Sequence, residues 1–360
     1  SPYRPFTSIQ ESGLYIKELE NSELTYEKKH ELNIGADMGF LNNRINLAVD
    51  WYKRNNYDLI GIVNTQGAGG QILKYANIAS MKSHGIEFTL STKNIKTKDF
   101  NWNTDFIFSN AKNEVTDLKQ NANVMELISG NGFAKQGYPV RGLFSIPFVG
   151  LDKDGIPVII NEKGEATSTD INFQERQNTG FLKYEGPTDP TITGSLGNMF
   201  SYKGFRLNLF ITYSFGNVIR LNPVFKAYYS DLTAMTREFK NRWTLPGDEA
   251  KTNVPAILSK RMYDSNEDLK YAYNAYNYST ERIAKGDFIR LKEISLAYDF
   301  PKAWINPLKL TDLSLKVQAT NLFLIYADDK LNGQDPEFFN AGGVASPVPR
   351  QFTITLRLGL

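Results

Sequence analysis

Few residues in this chain are equipped for bond-making chemistry. His30 and His84 are its two histidines, and it has no cysteine; thiolate metal sites, disulfides and cysteine nucleophiles are therefore excluded. The two histidines lie far apart, in or beside stretches that read as strands, which favours a place in a wall over a metal site or a triad. Asp152-Lys153-Asp154-Gly155 has part of a calcium loop's spacing, but it lacks the third acidic position and the closing glutamate, so a hairpin turn is the better reading. Gly67-Ala68-Gly69-Gly70 lacks the Lys-Ser/Thr and the strand-to-helix setting of a phosphate cradle and reads as a flexible loop tip. No carboxylate pair has a spacing that supports glycoside hydrolysis. The chain does not read as an enzyme, and no cofactor or metal is expected.

Binding chemistry is better represented. In the segment 217–286, Tyr228, Tyr229, Trp243, Tyr263, Tyr271, Tyr273, Tyr276 and Tyr278 are interleaved with Arg237, Lys240, Arg242, Lys260 and Arg261. Exposed aromatics stack on sugar rings or grip peptides, and loops held by a rigid scaffold commonly carry function. Tyr228, Tyr229, Arg242, Trp243, Tyr271, Tyr273 and Tyr276 are the candidate ligand contacts. The competing reading is structural, because loop aromatics of large barrels also pack on one another and on partners.

A scaffold that could hold such loops is legible at the C-terminus. Phe352, Ile354, Leu356, Leu358 and Leu360 alternate with Thr353, Thr355, Arg357 and Gly359, the period of a strand that is greasy on one face and polar on the other. The pattern recurs. Leu32, Ile34, Ala36, Met38 and Phe40 form one such set, and Ile45, Leu47, Val49 and Trp51 a second across the short turn Leu41-Asn42-Asn43. Further sets are Ile86, Phe88 and Leu90; Trp102, Thr104, Phe106 and Phe108; and Phe205, Leu207, Leu209, Ile211 and Tyr213. In 287–300 the apolar parity changes around Lys292-Glu293, which predicts a β-bulge. Residues 311–324 form another strand, and 139–150 with 156–161 a weaker hairpin.

Short connections (41–43, 96–99, 202–204, 301–310) alternate with long ones (61–79, 113–138, 162–190, 217–286, 325–349). Outer-membrane barrels have this asymmetry, with short periplasmic turns and long extracellular loops. No run approaches the roughly 18 apolar residues of a membrane helix. A net charge of +2 leaves no broad footprint for nucleic acid. The fold class is therefore all-β: a transmembrane antiparallel β-barrel spanning residues 1–360, with about eleven strands. That count is odd, whereas single-chain bacterial barrels close with an even number, so the chain reads as part of a barrel. Ser1-Pro2-Tyr3-Arg4 starts no signal peptide, so the true beginning is expected elsewhere.

Specific strings sharpen the reading. GDFIRLKEISLAYDFP at Gly286 to Pro301 resembles a signature of the SusC/RagA-like TonB-dependent transporters of Bacteroidota. NIGADMGFLNNRINLAVDWYKRNNYDLI (Asn33 to Ile60), SYKGFRLNLFITYSFGN (Ser201 to Asn217) and the stretch from Asn321 to Leu360 are similar to other barrel segments of that family, in the expected order. The resemblance implies the C-terminal half of a plugged barrel of roughly 22 strands, with the plug, TonB box and N-terminal extension absent from this chain. It also implies import of oligosaccharides or peptides with a SusD-like surface lipoprotein, coupling to the TonB complex through the missing part, embedding in outer-membrane lipid, and dimers of the transporter–lipoprotein pair. A scaffold for surface export and a passive channel are the alternatives. The terminal strand should run down to the periplasm and pair with the barrel's first strand. Such barrels usually end in an aromatic residue, where this chain has Leu360.

Overall fold

The computed structural model describes residues 2–3, 13–14, 20–64, 73–226, 235–339 and 348–360. Nine strands form one antiparallel sheet in which every strand pairs with its neighbours in sequence. They are β1 (Lys28–Phe40), β2 (Ile45–Asn64), β3 (Leu73–Lys96), β4 (Phe100–Leu118), β5 (Ile192–Tyr202), β6 (Phe205–Phe215), β7 (Phe288–Asp299), β8 (Asp312–Ala327) and β9 (Gln351–Gly359). Among the described residues β1 and β9 are each paired on one side only. The sheet is thus a length of barrel wall, open at both edges.

Of the expected strands, the hairpin at 139–150 and 156–161 lies outside the wall. Phe148–Leu151 and Pro157–Ile160 instead belong to a separate three-stranded sheet with Ala166–Thr167, and Gly142–Ser145 pairs with Lys183–Pro187. Strands of four residues are too short to cross a membrane, which takes about 9–11. A second difference concerns the expected long connection at 61–79. β2 continues to Asn64 and β3 already begins at Leu73, while Gly67–Gly70 lie outside the described residues. With a rise of ~3.3 Å per residue and ~45° tilt, the 24 residues of β3 climb about 55 Å, roughly twice the apolar band of an outer-membrane barrel. The wall therefore projects well beyond the membrane on this side.

Register explains why the wall is amphipathic across its width. Met38 lies opposite Leu47, Leu47 opposite Leu90, Leu90 opposite Phe106, Phe106 opposite Leu196 and Leu196 opposite Ile211. Ile211 then faces Leu291, and Leu291 faces Phe323. Because strand side chains alternate, a one-residue slip anywhere would turn the strands beyond it inside out. The predicted bulge is present: Phe210 pairs with Glu293 and Ile211 with Leu291, leaving Lys292 as the extra residue. It restores the register that the change of parity would otherwise break. Exposed large apolar residues such as Ile34 at 59% and Ile354 at 74% belong to the lipid face.

Toward the short turns the same face becomes aromatic. Trp102 stacks on Phe200 at 5.6 Å and Phe205 lies 4.4 Å from Tyr298. Thr104 and Asn198 sit beside them, and Asn198 Oδ1 accepts from Trp102 Nε1 at 2.9 Å and Thr104 Oγ1 at 2.7 Å. This is the composition of an interfacial girdle, where apolar rings meet polar headgroups. The opposite face carries Asp37, Asp50, Asp105, Ser195, Thr212 and Arg290, in line with a polar lumen.

Candidate functional site

Within the long connections, 119–191, 216–287 and 328–350, the described residues fold into a cap with its own interior. Ala122, Val124, Leu127, Ile128, Phe144, Ile146, Ile159, Leu182 and Ala275 form one buried cluster. Ile219, Leu221, Ala284, Leu331 and Phe339 form another. The largest fully buried side chains among the described residues all lie outside the nine wall strands. Water exclusion in the cap replaces the lipid that solvates the wall.

Three short helices help build it: α1 (Val124–Ile128), α2 (Lys260–Ser265) and α3 (Leu269–Asn277). In α1, Asn123 Oδ1 accepts from the Glu126 amide at 2.8 Å while Glu126 Oε2 accepts from the Asn123 amide at 2.7 Å. This reciprocal box satisfies two otherwise orphaned donors and turns Leu127 and Ile128 into the core. α3 buries Leu269, Ala272, Tyr273 and Tyr276, spaced at i, i+3, i+4 and i+7. Its other face presents Lys270, Tyr271 and Asn274 to a cavity of about 740 Å³.

Arg220 ties the cap segments together. Its side chain is buried; Nη2 donates to the carbonyls of Phe144 at 2.6 Å and Ile128 at 3.3 Å, and Nη1 to the carbonyl of Ser279 at 2.9 Å and Ser145 Oγ at 3.1 Å. Burial pulls the guanidinium down to about 9, offset in part by Glu185, and it stays protonated at neutral pH. Arg282 and Glu238 make a second link at 2.6 Å. Arg290, on the lumen face of β7, meets Asp335 at 2.5 Å and Glu337 at 3.3 Å, which fixes the 328–339 segment to the wall.

The candidate ligand contacts divide by burial. Tyr273 and Tyr276 are each 1% exposed, because the helical phase of α3 turns both into the interior. Burial pushes the Tyr276 hydroxyl well above its ordinary value. Trp243 is also a packing residue. Its ring lies on Gly155, where an added Cβ would come within 2.5 Å of Cδ2. Its indole N–H donates to Glu249 Oε2 at 3.0 Å. Arg242 is half-buried with its guanidinium 5.0 Å from the Phe239 ring centre. Tyr271 is 39% exposed and lines the cavity. Tyr228 and Tyr229 lie outside the described residues.

Lys260, Tyr263 and Lys270, together with Phe225, Leu258 and Asn274, complete that cavity. Lys270 and Asn274 were not among the candidates. The signal that could have found them is the 3.6-residue periodicity of 269–276, visible once the tyrosines are read as a helix rather than as a loop.

The residues singled out for possible catalysis are placed in structural surroundings. His30 sits on β1 with its ring 5.4 Å from that of Tyr57, and His84 on β3, with β2 between them. Asp152 Oδ1 accepts from the amides of Asp154 and Ile156 at 2.9 Å each, making the turn between Phe148–Leu151 and Pro157–Ile160. No group of three or more metal-ligating side chains is assembled among the described residues.

No family model matches the sequence. The chain is 26% identical over 357 residues to TonB-dependent receptor P3 of Formosa agariphila, covering 94% of this chain and 33% of that receptor. It is likewise 26% identical over 364 residues to TonB-dependent receptor SusC of Bacteroides thetaiotaomicron, covering 94% of this chain and 32% of SusC. The chain thus spans about a third of the length of the curated relatives it matches. Among solved structures it superposes on the RagAB peptide transporter with a TM-score of 0.74 and 23% identity, over 99% of this chain and 38% of that one. The nine-stranded wall with its lipid face, the short turns at one end and the cap at the other match this company. The chain is similar over nearly its whole length to SusC-type TonB-dependent receptors of the outer membrane, and it has the fold of part of the RagAB transporter's β-barrel.

Proposed function

We propose that this chain is the C-terminal portion of the barrel of an outer-membrane importer, taking up oligosaccharides or peptides with a SusD-like lipoprotein seated over the cap. The observation that carries the reading is the cap itself: connections that build a buried core and bind back to the lumen face through Arg290 and Asp335. A passive pore needs no such structure, whereas a receptor that must hold a solute above a lumen does. The wall supplies no energy. In this reading the plug and TonB box lie in sequence outside the chain, and the TonB complex acts through them. Pairing with a lipoprotein is supported by the SusC relative and by the two-component name of RagAB, and dimers of that pair belong to the same proposal.

The test uses the whole receptor in its own membrane. Deleting its gene should abolish uptake of a fluorescent oligosaccharide or peptide pool, and collapsing the proton gradient should do the same with the receptor present. Affinity purification should retain a SusD-like lipoprotein. Uptake that persists without the gradient would establish a passive channel. Loss of a surface-exported protein with uptake unchanged would establish the scaffold role.

A further inference from the structure

We propose that the cavity between α2 and α3 is a subsite for an acidic sugar residue. The inference rests on the import reading and narrows its substrate class. The cavity holds about 740 Å³ and is lined by Phe225, Leu258, Lys260, Tyr263, Lys270, Tyr271 and Asn274, within the range of small-ligand sites. Among the described residues its charged lining side chains are two lysines. Among the described residues neither Lys260 nor Lys270 takes part in an ion pair, and no carboxylate lines the space with them.

The aromatic residues are arranged around one of these cations. Lys270 Nζ lies 5.3 Å from the Tyr271 ring centre and 5.9 Å from that of Tyr263. Contact with two ring faces attracts the ammonium but does not neutralise it. Its remaining charge is available to an anion that enters the cavity, and Lys260 supplies a second. Asn274 adds a carboxamide that both donates and accepts, which suits vicinal hydroxyls. Tyr263, Tyr271, Phe225 and Leu258 offer flat apolar surface to the C–H face of a pyranose.

A peptide is the less fitting occupant. Extended peptides are commonly held by pairing their backbone to a free strand edge, and five of the seven lining residues come from α2 and α3. The geometry favours side-chain recognition of a ring bearing a negative charge. The ligand class is therefore a uronate-bearing oligosaccharide, with the carboxylate between Lys260 and Lys270.

Equilibrium binding to the intact detergent-solubilised receptor tests this without any transport step. The probes are trigalacturonate, neutral maltotriose, and the tripeptide Glu-Gly-Glu. Trigalacturonate should bind measurably tighter than maltotriose. Lys270→Gln and Lys260→Gln should each weaken trigalacturonate roughly ten-fold, the loss of one charge-assisted contact. Lys270→Arg should restore most of the affinity. Each variant should keep the heat-modifiable gel mobility of the folded barrel. Unchanged trigalacturonate affinity in Lys270→Gln would overturn the proposal, as would equal affinity for maltotriose. Glu-Gly-Glu binding as tightly as trigalacturonate, with the same lysine dependence, would overturn the sugar assignment. If gradient-driven uptake persists while these binding results fail, the subsite is wrong and the import reading stands.

Discussion

Arg290 Nη2 lies 2.5 Å from Asp335 Oδ1, and the two side chains are 3% and 2% exposed. One partner belongs to a wall strand and the other to the connection before β9. Asp335 also accepts from the Glu337 amide at 3.1 Å and so shapes the turn that presents it. The pair is worth little as a net stabiliser compared with apolar packing, but breaking it strands a buried charge.

Asp335→Ala should therefore cost about 3–5 kcal/mol and release the 328–339 segment from the wall. Limited proteolysis should cut that segment in the variant while the heat-modifiable barrel persists. Arg290→Met with Asp335→Leu should recover much of the loss. Proteolysis equal to that of the parent protein in Asp335→Ala would show that the segment is held by other contacts.

Arg220 donates to three backbone carbonyls and one hydroxyl contributed by different stretches of the cap. Arg220→Met keeps the bulk but leaves buried acceptors unpaired, at ~1–3 kcal/mol for each group that water cannot reach. The thermal transition of the cap should fall by several degrees, followed by near-ultraviolet circular dichroism of its buried tyrosines. Arg220→Lys, with a single point charge, should fall between the two. An unchanged transition would mean that the apolar clusters alone hold the segments together.

On the lipid face, the Tyr213 hydroxyl donates to the Ile107 carbonyl at 2.8 Å across Gly194. A Cβ on Gly194 would lie 2.1 Å from that carbonyl oxygen and 2.4 Å from the hydroxyl. Gly194→Ala should reduce the folded fraction by an amount typical of overpacking, about 1–3 kcal/mol. Adding Tyr213→Phe should not rescue it, because the backbone oxygen cannot retreat. Quantifying folded and unfolded bands after refolding into vesicles measures both variants.

Trp243 offers a pH readout of the loop it anchors. Hydrogen bonds from the Leu245 and Thr244 amides hold the Asp248 carboxyl below its ordinary value, and the Trp243 indole does the same for Glu249. Both folded values are depressed, so the stabilisation is complete above the unfolded values and is lost as pH falls through the folded ones. Trp243 fluorescence, taken as the difference from Trp243→Phe, should be flat from about pH 7 to pH 5 and shift to the red below about pH 4. A red shift beginning near pH 6 would assign the loop's order to other groups.

The wall was largely legible in the sequence, and the cap was not. Alternation such as Phe205, Leu207, Leu209, Ile211 and Tyr213 has one physical solution, a strand with lipid on one side. The parity change at Lys292 likewise has one economical cause, and the bulge lies there. The hairpin around Asp152 was legible as a hairpin but not as part of the cap, because local turn chemistry says nothing about which sheet receives it. Tyr271, Tyr273 and Tyr276 look alike as text. Only the phase of α3 separates the exposed ring from the two buried ones. Arg220 had no local signal at all, since its partners come from residues 59 to 92 positions away.

The cap's interior has a consequence for how the molecule wears out. Its stability is set by water, whereas the wall's apolar face is set by whatever hydrocarbon surrounds it. Membrane thickness, detergent choice and lipid composition act on the wall; denaturants and proteases act first on the cap. Such a molecule has two separate lifetimes, and an intact-looking barrel wall can outlast the cap it carries.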